Sequence, residues 1–408
     1  MHDPLTVVRL GAQGDGIVER PGGDVYVPGF LPGERVELES GGGGRLVGPP
    51  SPDRRAEQLC PHVPQCGGCA VQHMNDALYV RWKEGLLATA LAHRGLSVTT
   101  APVRTVPLAS RRRATFAGSW HDGKARLGFH RAGTHTIEPI EACAVLRPAI
   151  VDALPALAGL AAMLVPNSAP FRVSVLDADN GLDVAIDAKT SARVSRQASE
   201  LASAMRAAKI VRLTLAGEPF LMLAAPVVRI AGVEVMPPPA AFLQAARETD
   251  TILAELVLGS IGKAKRVADL FAGLGTLSLA LAAKARVLSV DSDAALLEAL
   301  RKAVAGTQGL KPVDCLRRDL FRDPLSPREL DRLDAVVLDP PRSGAAAQSE
   351  ALARSKVPRV VMVSCNPATL ARDLRTLVDG GYLMESATPV DQFLFTPHLE
   401  AVAVLRRA

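Results

Sequence analysis

The sequence predicts an α/β protein. A doubly wound, mostly parallel sheet fills the carboxyl-terminal part, preceded by a small β-barrel and a mostly β central domain. Three observations predict it. From about residue 240, apolar strand patterns alternate with helical ones, as in a parallel sheet with helices on both faces. Over residues 4–50, short alternations such as Val25-Tyr26-Val27 and Arg35-Val36-Glu37-Leu38 lie between Gly-Pro turns. Residues 100–235 read as mostly strands with a helical stretch near 147–163.

Composition agrees. The 408 residues are 48% apolar and 22% charged, which suits two or three domains with their own cores and excludes a disordered class. A net charge of +5 and a pI near 9.0 give weak support to a phosphate-rich partner. The start, Met1-His2-Asp3-Pro4, lacks the positive head and apolar stretch of a secretory signal. The longest apolar runs are broken by Gly, Pro or charge, so no transmembrane helix is expected and a cytoplasmic protein is. Of the six cysteines, three cluster in Cys60-Pro-His-Val-Pro-Gln-Cys66-Gly-Gly-Cys69. In a reducing compartment such spacing favours a metal over a disulfide.

In chain order, Gly11-Ala-Gln-Gly14-Asp-Gly16 is a glycine-rich loop with no helix after it, which argues against a dinucleotide site. Pro28–Glu34 is a turn. The first fifty residues read either as an ordinary barrel or as a five-stranded RNA-binding one. Gly41–Asp53 reads as a linker. Met74–Gly95 shows helical spacing of Leu78, Trp82, Leu86 and Leu91, ended by Gly95. Arg111-Arg112-Arg113 and Leu127-Gly128-Phe129-His130-Arg131 are basic pieces, read as a solvated face or an RNA path. Cys143, taken alone, reads as a core cysteine. The expected strands further on are 267–271, 286–291, 335–339, 359–364, 383–385 and 401–405. The expected helices are 276–283, 293–304 and 367–378. The implied domains are 1–52, 53–235 and 236–408.

Three motifs carry chemistry. In Asp269-Leu-Phe271-Ala-Gly273-Leu-Gly275-Thr276 a strand runs into a glycine turn and a helix, so a cofactor can press against bare backbone. Ser278 stands where a dinucleotide fingerprint wants its third glycine, which weakens a nicotinamide reading. Asp291 closes the next strand, where a carboxylate takes ribose hydroxyls. The spacing suits S-adenosylmethionine; the bland reading is a turn with packing glycines. Asp339-Pro340-Pro341-Arg342 gives a rigid exit that points the aspartate. An aromatic in place of Arg342 would suit amine methylation, so the arginine argues against it. Cys365, in Val363-Ser364-Cys365-Asn366-Pro367, lies at the carboxyl end of a strand, where a thiol is either a nucleophile or a buried structural group. C5 of uracil becomes nucleophilic when a thiolate adds to C6, and a base must then take the C5 proton. Glu400 is the candidate base.

These residues together resemble the RNA uracil-5 methyltransferase family. Ser364-Cys365-Asn366-Pro367-Ala368-Thr369-Leu370-Ala371-Arg372-Asp373 resembles its nucleophile signature, and Thr396-Pro397-His398-Leu399-Glu400 its base motif. Asp269–Gly275, Asp339–Arg342 and Phe242-Leu243-Gln244 match in order. The resemblance implies a Rossmann-like S-adenosylmethionine-dependent methyltransferase domain with Cys365 as nucleophile and Glu400 as base. It implies Gln244, Phe271, Gly273, Gly275, Thr276, Asp291, Asp319 and Asp339 around S-adenosyl-L-methionine and the target base. Ala246 and Thr276 depart from the family's usual asparagines. The resemblance also implies a [4Fe-4S] cluster on Cys60, Cys66, Cys69 and Cys143, with zinc on His62 in place of Cys143 as rival, and Cys315 as core. An amino-terminal TRAM-like barrel plus four cysteines is similar to the branch acting on 23S ribosomal RNA. That implies an RNA partner, held by the barrel, Arg111–Arg113 and Arg131, no membrane, and a monomer. A transfer RNA uridine-5 enzyme, an RNA cytosine-5 methyltransferase and a non-catalytic RNA-binding protein are the alternatives.

Overall fold

Short strands with glycines at their ends build the first unit. The computed structural model describes residues 3–39, 43–166, 169–188 and 198–408. Met1, His2 and the expected linker's Gly41 and Gly42 lie outside them. Six strands, β1 (Leu5–Thr6), β2 (Arg9–Leu10), β3 (Gly16–Val18), β4 (Val25–Val27), β5 (Arg35–Leu38) and β6 (Gly44–Val47), form two three-stranded sheets. They enclose Val7, Val18, Val27, Phe30 and Val36. Two expectations change: among the described residues there are six strands where the RNA-binding reading has five, and the stretch read as a linker holds one of them. A side chain at Gly44 would meet Val36 Cγ2 at 2.3 Å, so that glycine serves close packing. Beyond it, buried Glu34 receives Arg54 Nε at 2.7 Å and the backbone N–H groups of Leu31 and Ser51.

Helix α1 (Asp76–Ala92), capped by Asn75, buries Leu78, Tyr79, Trp82, Lys83, Leu87 and Leu91. It is the hub of the amino-terminal half. Trp82 Nε1 donates to the Gly11 carbonyl at 3.0 Å and ties the barrel to it. It also packs against the carboxyl-terminal half, with Tyr79 and Trp82 sharing a core with Val361, Val363 and Val402. After the short strand β7 (Arg104–Thr105), the central sheet takes β8 (Arg113–His121), β9 (Lys124–His130), β10 (Ile137–Pro139), β11 (Phe171–Ala178), β12 (Gly181–Asp187), β13 (Ile210–Leu215) and β14 (Glu218–Met222). Their order is β10-β9-β8-β11-β12-β13-β14, with helices α2 (Pro148–Asp152), α3 (Leu154–Leu164) and α4 (Ala198–Ala207) alongside. A two-stranded ribbon, β15 (Val228–Ile230) and β16 (Val233–Val235), and helix α5 (Arg247–Ser260) lead on.

The last sheet is doubly wound. Its strands are β17 (Arg266–Leu270), β18 (Arg286–Asp291), β19 (Val313–Arg317), β20 (Ala335–Leu338), β21 (Arg359–Ser364), β22 (Tyr382–Asp391) and β23 (Glu400–Arg407). The order is β19-β18-β17-β20-β21-β23-β22-β7. Strands β17 to β21 pair in parallel, and β23 runs antiparallel between β21 and β22. The winding reverses between β17 and β20, which opens a crevice at their carboxyl ends, the place such sheets bind ligands. Helices α6 (Thr276–Ala282), α7 (Ala294–Ala305), α8 (Pro327–Leu330), α9 (Ala346–Ala353) and α10 (Pro367–Asp379) connect the strands. No described helix is long and apolar enough to cross a membrane.

Candidate active site

Five all-buried residues precede Cys365 on β21, and Asn366 turns the chain away by capping α10 through Ala368 N–H at 3.1 Å. With Pro367 at the first helical position, the thiol is left at the strand's end. The rest of the signature stitches this turn to the Asp339–Ala345 loop. Asn366 Nδ2 and Thr369 Oγ1 donate to the Arg342 carbonyl, Arg372 Nη2 to that of Ser343, and Ala345 N–H to Asp373 Oδ2.

Glu400 opens β23, whose Ala401 is paired with Ser364. Cys365 and Glu400 each lie one residue beyond that pair, at the same edge of adjacent strands. Glu400 is 2% exposed. Its Oε2 accepts from Gln392 Nε2 at 2.8 Å, and its buried Oε1 has no partner. Gln392 extends the network. Its carbonyl oxygen accepts Ala245 N–H at 2.7 Å, which fixes the amide, and its Nε2 also donates to Gln244 Oε1 at 2.6 Å. Gln244 Nε2 in turn donates to Asp339 Oδ2 at 3.2 Å. Asp339, Gln244, Gln392 and Glu400 thus form one buried chain of side chains. The sequence reading had singled out all but Gln392.

The electrostatics follow from burial. Desolvation drives Glu400 well above the usual carboxylate range, the charge of Asp339 adds to that, and the Gln392 hydrogen bond opposes it. Asp339 is raised by the same burial. The Cys365 thiol is pushed up to about 11, first by burial and then by the charges of Glu400 and Asp339, with Arg342 opposing. Arg342 also donates to His398 Nδ1 at 3.3 Å. His398 is held below the ordinary imidazole value by burial and by Arg342.

The other predicted cofactor residues stand at the carboxyl ends of β17, β18 and β19. Phe271 has φ +62° and Gly273 φ +55°, and a side chain at Gly273 would meet nothing within 4 Å. Gly275, at φ +88°, is a packing glycine, because a Cβ there would lie 2.5 Å from Leu300 Cδ1. Thr276 begins α6. Asp291 accepts Gly273 N–H at 2.8 Å through one oxygen and Asp293 N–H at 2.9 Å through the other. Asp319 accepts Phe321 N–H at 3.0 Å, and the Phe321 ring stands 5.4 Å from that of Phe271. Phe321 was missed by the sequence reading; an aromatic two residues after Asp319 was the available signal. Ser278 is buried against Asp269 and Ser289, which is why no glycine stands there.

Cys365 lines a groove of about 1100 Å³ with Arg9 and Tyr26 of the barrel, His93 and Arg94 of the α1 end, Arg342 and His398. No acidic residue is among its described lining. The triple arginine is not a solvated face. Arg112 is 1% exposed; it binds both oxygens of Asp250, at 3.1 and 2.8 Å, and donates to the Gln244 carbonyl. Arg113 lies 4.4 Å over the ring of Phe242, which is itself exposed. Arg111 lines a second cavity. Arg131, exposed, pairs with Glu138.

That second cavity, about 460 Å³, is lined by Cys60, Cys66, Cys69 and Cys143 together with His62 and Arg111. Cys143, read alone as a core thiol, is therefore brought to the other three. All four are free thiols. Burial raises Cys66 and Cys143 and pushes Cys69 up to about 12. Among the described residues, no three His, Cys, Asp or Glu groups are placed to hold a metal ion. His62 Nε2 is engaged by Glu141 N–H at 3.2 Å. Cys315, expected in the core, is partly exposed on the edge strand β19, packed beside one of the cores.

A thiol and a buried carboxylate at the edge of β21 and β23, beside the switch point of a doubly wound sheet, define an enzyme-like site of the methyltransferase fold class. The sequence model for tRNA (Uracil-5-)-methyltransferase matches residues 324–408. An uncharacterized RNA methyltransferase of Agrobacterium fabrum is 43% identical over 99% of both chains. The 23S rRNA (uracil(1939)-C(5))-methyltransferase RlmD of Pectobacterium atrosepticum is 31% identical over 98% of this chain and 92% of that one. The solved tRNA (uracil-54, C5)-methyltransferase of Pyrococcus abyssi has a TM-score of 0.77 over 99% of both chains at 22% identity, which establishes the shared fold. The chain belongs to the RNA uracil-5-methyltransferase family.

Proposed function

We propose that this enzyme methylates C5 of a uridine in 23S ribosomal RNA through a bond between Cys365 Sγ and C6 of the base. The observation that carries this is the placement of the Cys365 thiol and the unpartnered Glu400 Oε1 at the same edge of adjacent strands. The full-length likeness to a 23S rRNA enzyme favours ribosomal over transfer RNA.

The chain's residues divide the work as follows. Cys365 gives up its thiol proton to solvent as Sγ adds to C6, and the C5–C6 electron pair moves toward O4, which makes C5 nucleophilic. S-adenosyl-L-methionine, when bound, supplies an electrophilic methyl group to C5. Glu400 Oε1 then accepts the C5 proton; the C–H pair restores the C5–C6 double bond and the thiolate leaves C6. Gln392 holds Oε2, so the free oxygen faces a proton donor of the substrate. Gln244 and Asp339 form the polar wall on which the base is oriented. The crevice fits the methyl donor: Gly273 leaves its backbone open, Asp291 and Asp319 present carboxylates, and Phe271 and Phe321 offer a ring pair for adenine. Gly275 and Thr276 shape the turn.

The groove between barrel and α1, basic and with no acid among its described lining, suits an RNA strand whose uridine is splayed out toward Cys365. We assign RNA holding to Arg9, Arg94, Arg131 and Phe242, the pairs of Arg9 with Asp24 and Arg131 with Glu138 leaving both guanidiniums exposed, and withdraw Arg112, which is buried against Asp250. In this reading residues 1–52, 53–235 and 236–408 act as RNA-binding barrel, central domain and methyltransferase domain of a cytoplasmic monomer. The cavity of Cys60, Cys66, Cys69 and Cys143 is the proposed seat of a [4Fe-4S] cluster: four thiols line it with a guanidinium beside them, and His62, the zinc rival's ligand, is already engaged. Its thiolates would hold iron and give the region shape. Brown, iron-containing protein on anaerobic purification supports this; stoichiometric zinc without iron reverses it.

The test of the activity uses 23S RNA from a strain lacking the protein and a labelled methyl donor. Label at one uridine, lost when that U is changed to C, is expected. Methylated cytidine, or label only in transfer RNA, would replace the assignment.

A further inference from the structure

Tyr79 and Lys83 lie one turn apart on α1 and leave the same face. That face meets the segment Asp391–His398, which joins β22 to β23 and leads into Glu400. Lys83 Nζ donates to Asp391 Oδ1 at 2.8 Å, to the Phe393 carbonyl at 3.3 Å and to the His398 carbonyl at 2.6 Å. An ammonium has three donors, and all three are used. Both side chains of the Lys83–Asp391 pair are 0% exposed. The Tyr79 hydroxyl donates to the other Asp391 oxygen and accepts Phe395 N–H at 2.9 Å. The Phe395 carbonyl receives Ala70 N–H at 2.8 Å and Val71 N–H at 3.2 Å. Phe395 itself sits at φ +59°, a conformation that a residue with a side chain keeps when its surroundings impose it.

We propose that Lys83 is a positioning residue for the proton-accepting step: from α1 its ammonium fixes the Phe393–His398 segment and, through it, the place of Glu400 beside Cys365. The inference rests on the reading of Glu400 as the base. A plain ion pair would end at Asp391, whose oxygens already receive Tyr79 and the Phe393 N–H at 3.2 Å. Lys83 reaches past it to a carbonyl two residues before Glu400.

Lys83→Met leaves Asp391 buried and unpaired, so the informative variant is Lys83→Met/Asp391→Asn, which removes both charges. Single-turnover reactions with the RNA, read on denaturing gels, separate formation of the enzyme–RNA adduct from its resolution, and thermal unfolding is followed in parallel. The double variant is expected to form adduct at close to the wild-type rate and to resolve it roughly ten- to a hundredfold more slowly, as a misplaced base would. Resolution at the wild-type rate, or equal slowing of both steps, overturns the proposal. Should the double variant not fold, Lys83→Gln, whose side chain ends one bond short of the ammonium and so releases the His398 carbonyl, is judged by the same two outcomes. Glu400→Gln is run beside them. If it accumulates adduct and the Lys83 variants do not, the Lys83 inference alone fails; if it resolves adduct normally, the assignment of Glu400 fails and takes Lys83 with it.

Discussion

Two buried polar clusters stand at the two ends of one loop and are built in opposite ways. At Lys83 and Asp391 the ammonium and both carboxylate oxygens are matched by partners. At Glu400 one oxygen is matched and the other is not, and burial raises both its carboxyl and that of Asp339, whose charge raises Glu400 further. The matched cluster holds shape. The unmatched one carries an unfavourable desolvation that a substrate proton can relieve. Ionic pairs elsewhere follow the first pattern, as Arg112 with Asp250 and Arg212 with Asp183 do.

Mutations can break or sharpen that contrast. The largest effect belongs to Cys365→Ala, which should abolish both methyl transfer and the adduct, as read by mass spectrometry of the RNA and by denaturing gels. Glu400→Gln comes next: adduct should form and persist, with turnover down by about 10²- to 10⁴-fold. Rapid turnover by that variant would remove Glu400 from its role. Arg112→Met, on the matched side, should cost about 3–5 kcal/mol of stability by stranding Asp250, measured by denaturant unfolding. The same change should leave the salt dependence of RNA binding as it was, since Arg112 does not reach solvent.

Gln392→Met is a subtler change. The amide bond to Oε2 favours the carboxylate form of Glu400, so its loss raises the proton affinity of Glu400. The base works only when deprotonated. The rate of adduct resolution, which climbs with pH as Glu400 ionises, should therefore keep its shape but move about one pH unit upward. An unmoved profile would mean that the amide is only packing. The smallest effect is expected of Arg94→Ala in the groove: RNA affinity falls a few-fold and the slope of log affinity against log salt drops by about one.

The sequence was most legible where local pattern and site coincide. The apolar run into Cys365, the Asn366 cap and Pro367 placed the thiol at the end of β21, and the glycine turn after Asp269 placed the crevice. Strand β19 was missed because it is an edge strand with alternating partial exposure and a charged Asp314, so no apolar run announces it. Gly44 read as linker because glycine for close packing and glycine for flexibility look alike in sequence. Arg111–Arg113 read as a solvated face or an RNA path because the partner of Arg112 is 138 residues away. Lys83 went unremarked for the same reason, with Asp391 308 residues distant. Gln392 carries no chemistry in isolation; its place between Gln244 and Glu400 exists only in the fold.

The most direct measurement uses the wild-type protein and RNA whose target uridine is replaced by 5-fluorouridine, so that no proton at C5 can be given to Glu400. With S-adenosylmethionine present, the account predicts a one-to-one complex stable to denaturation, carrying a transferred methyl group, with the nucleotide on the Cys365 peptide. Methyl transfer without any trapped complex, or a complex through another cysteine, would contradict it.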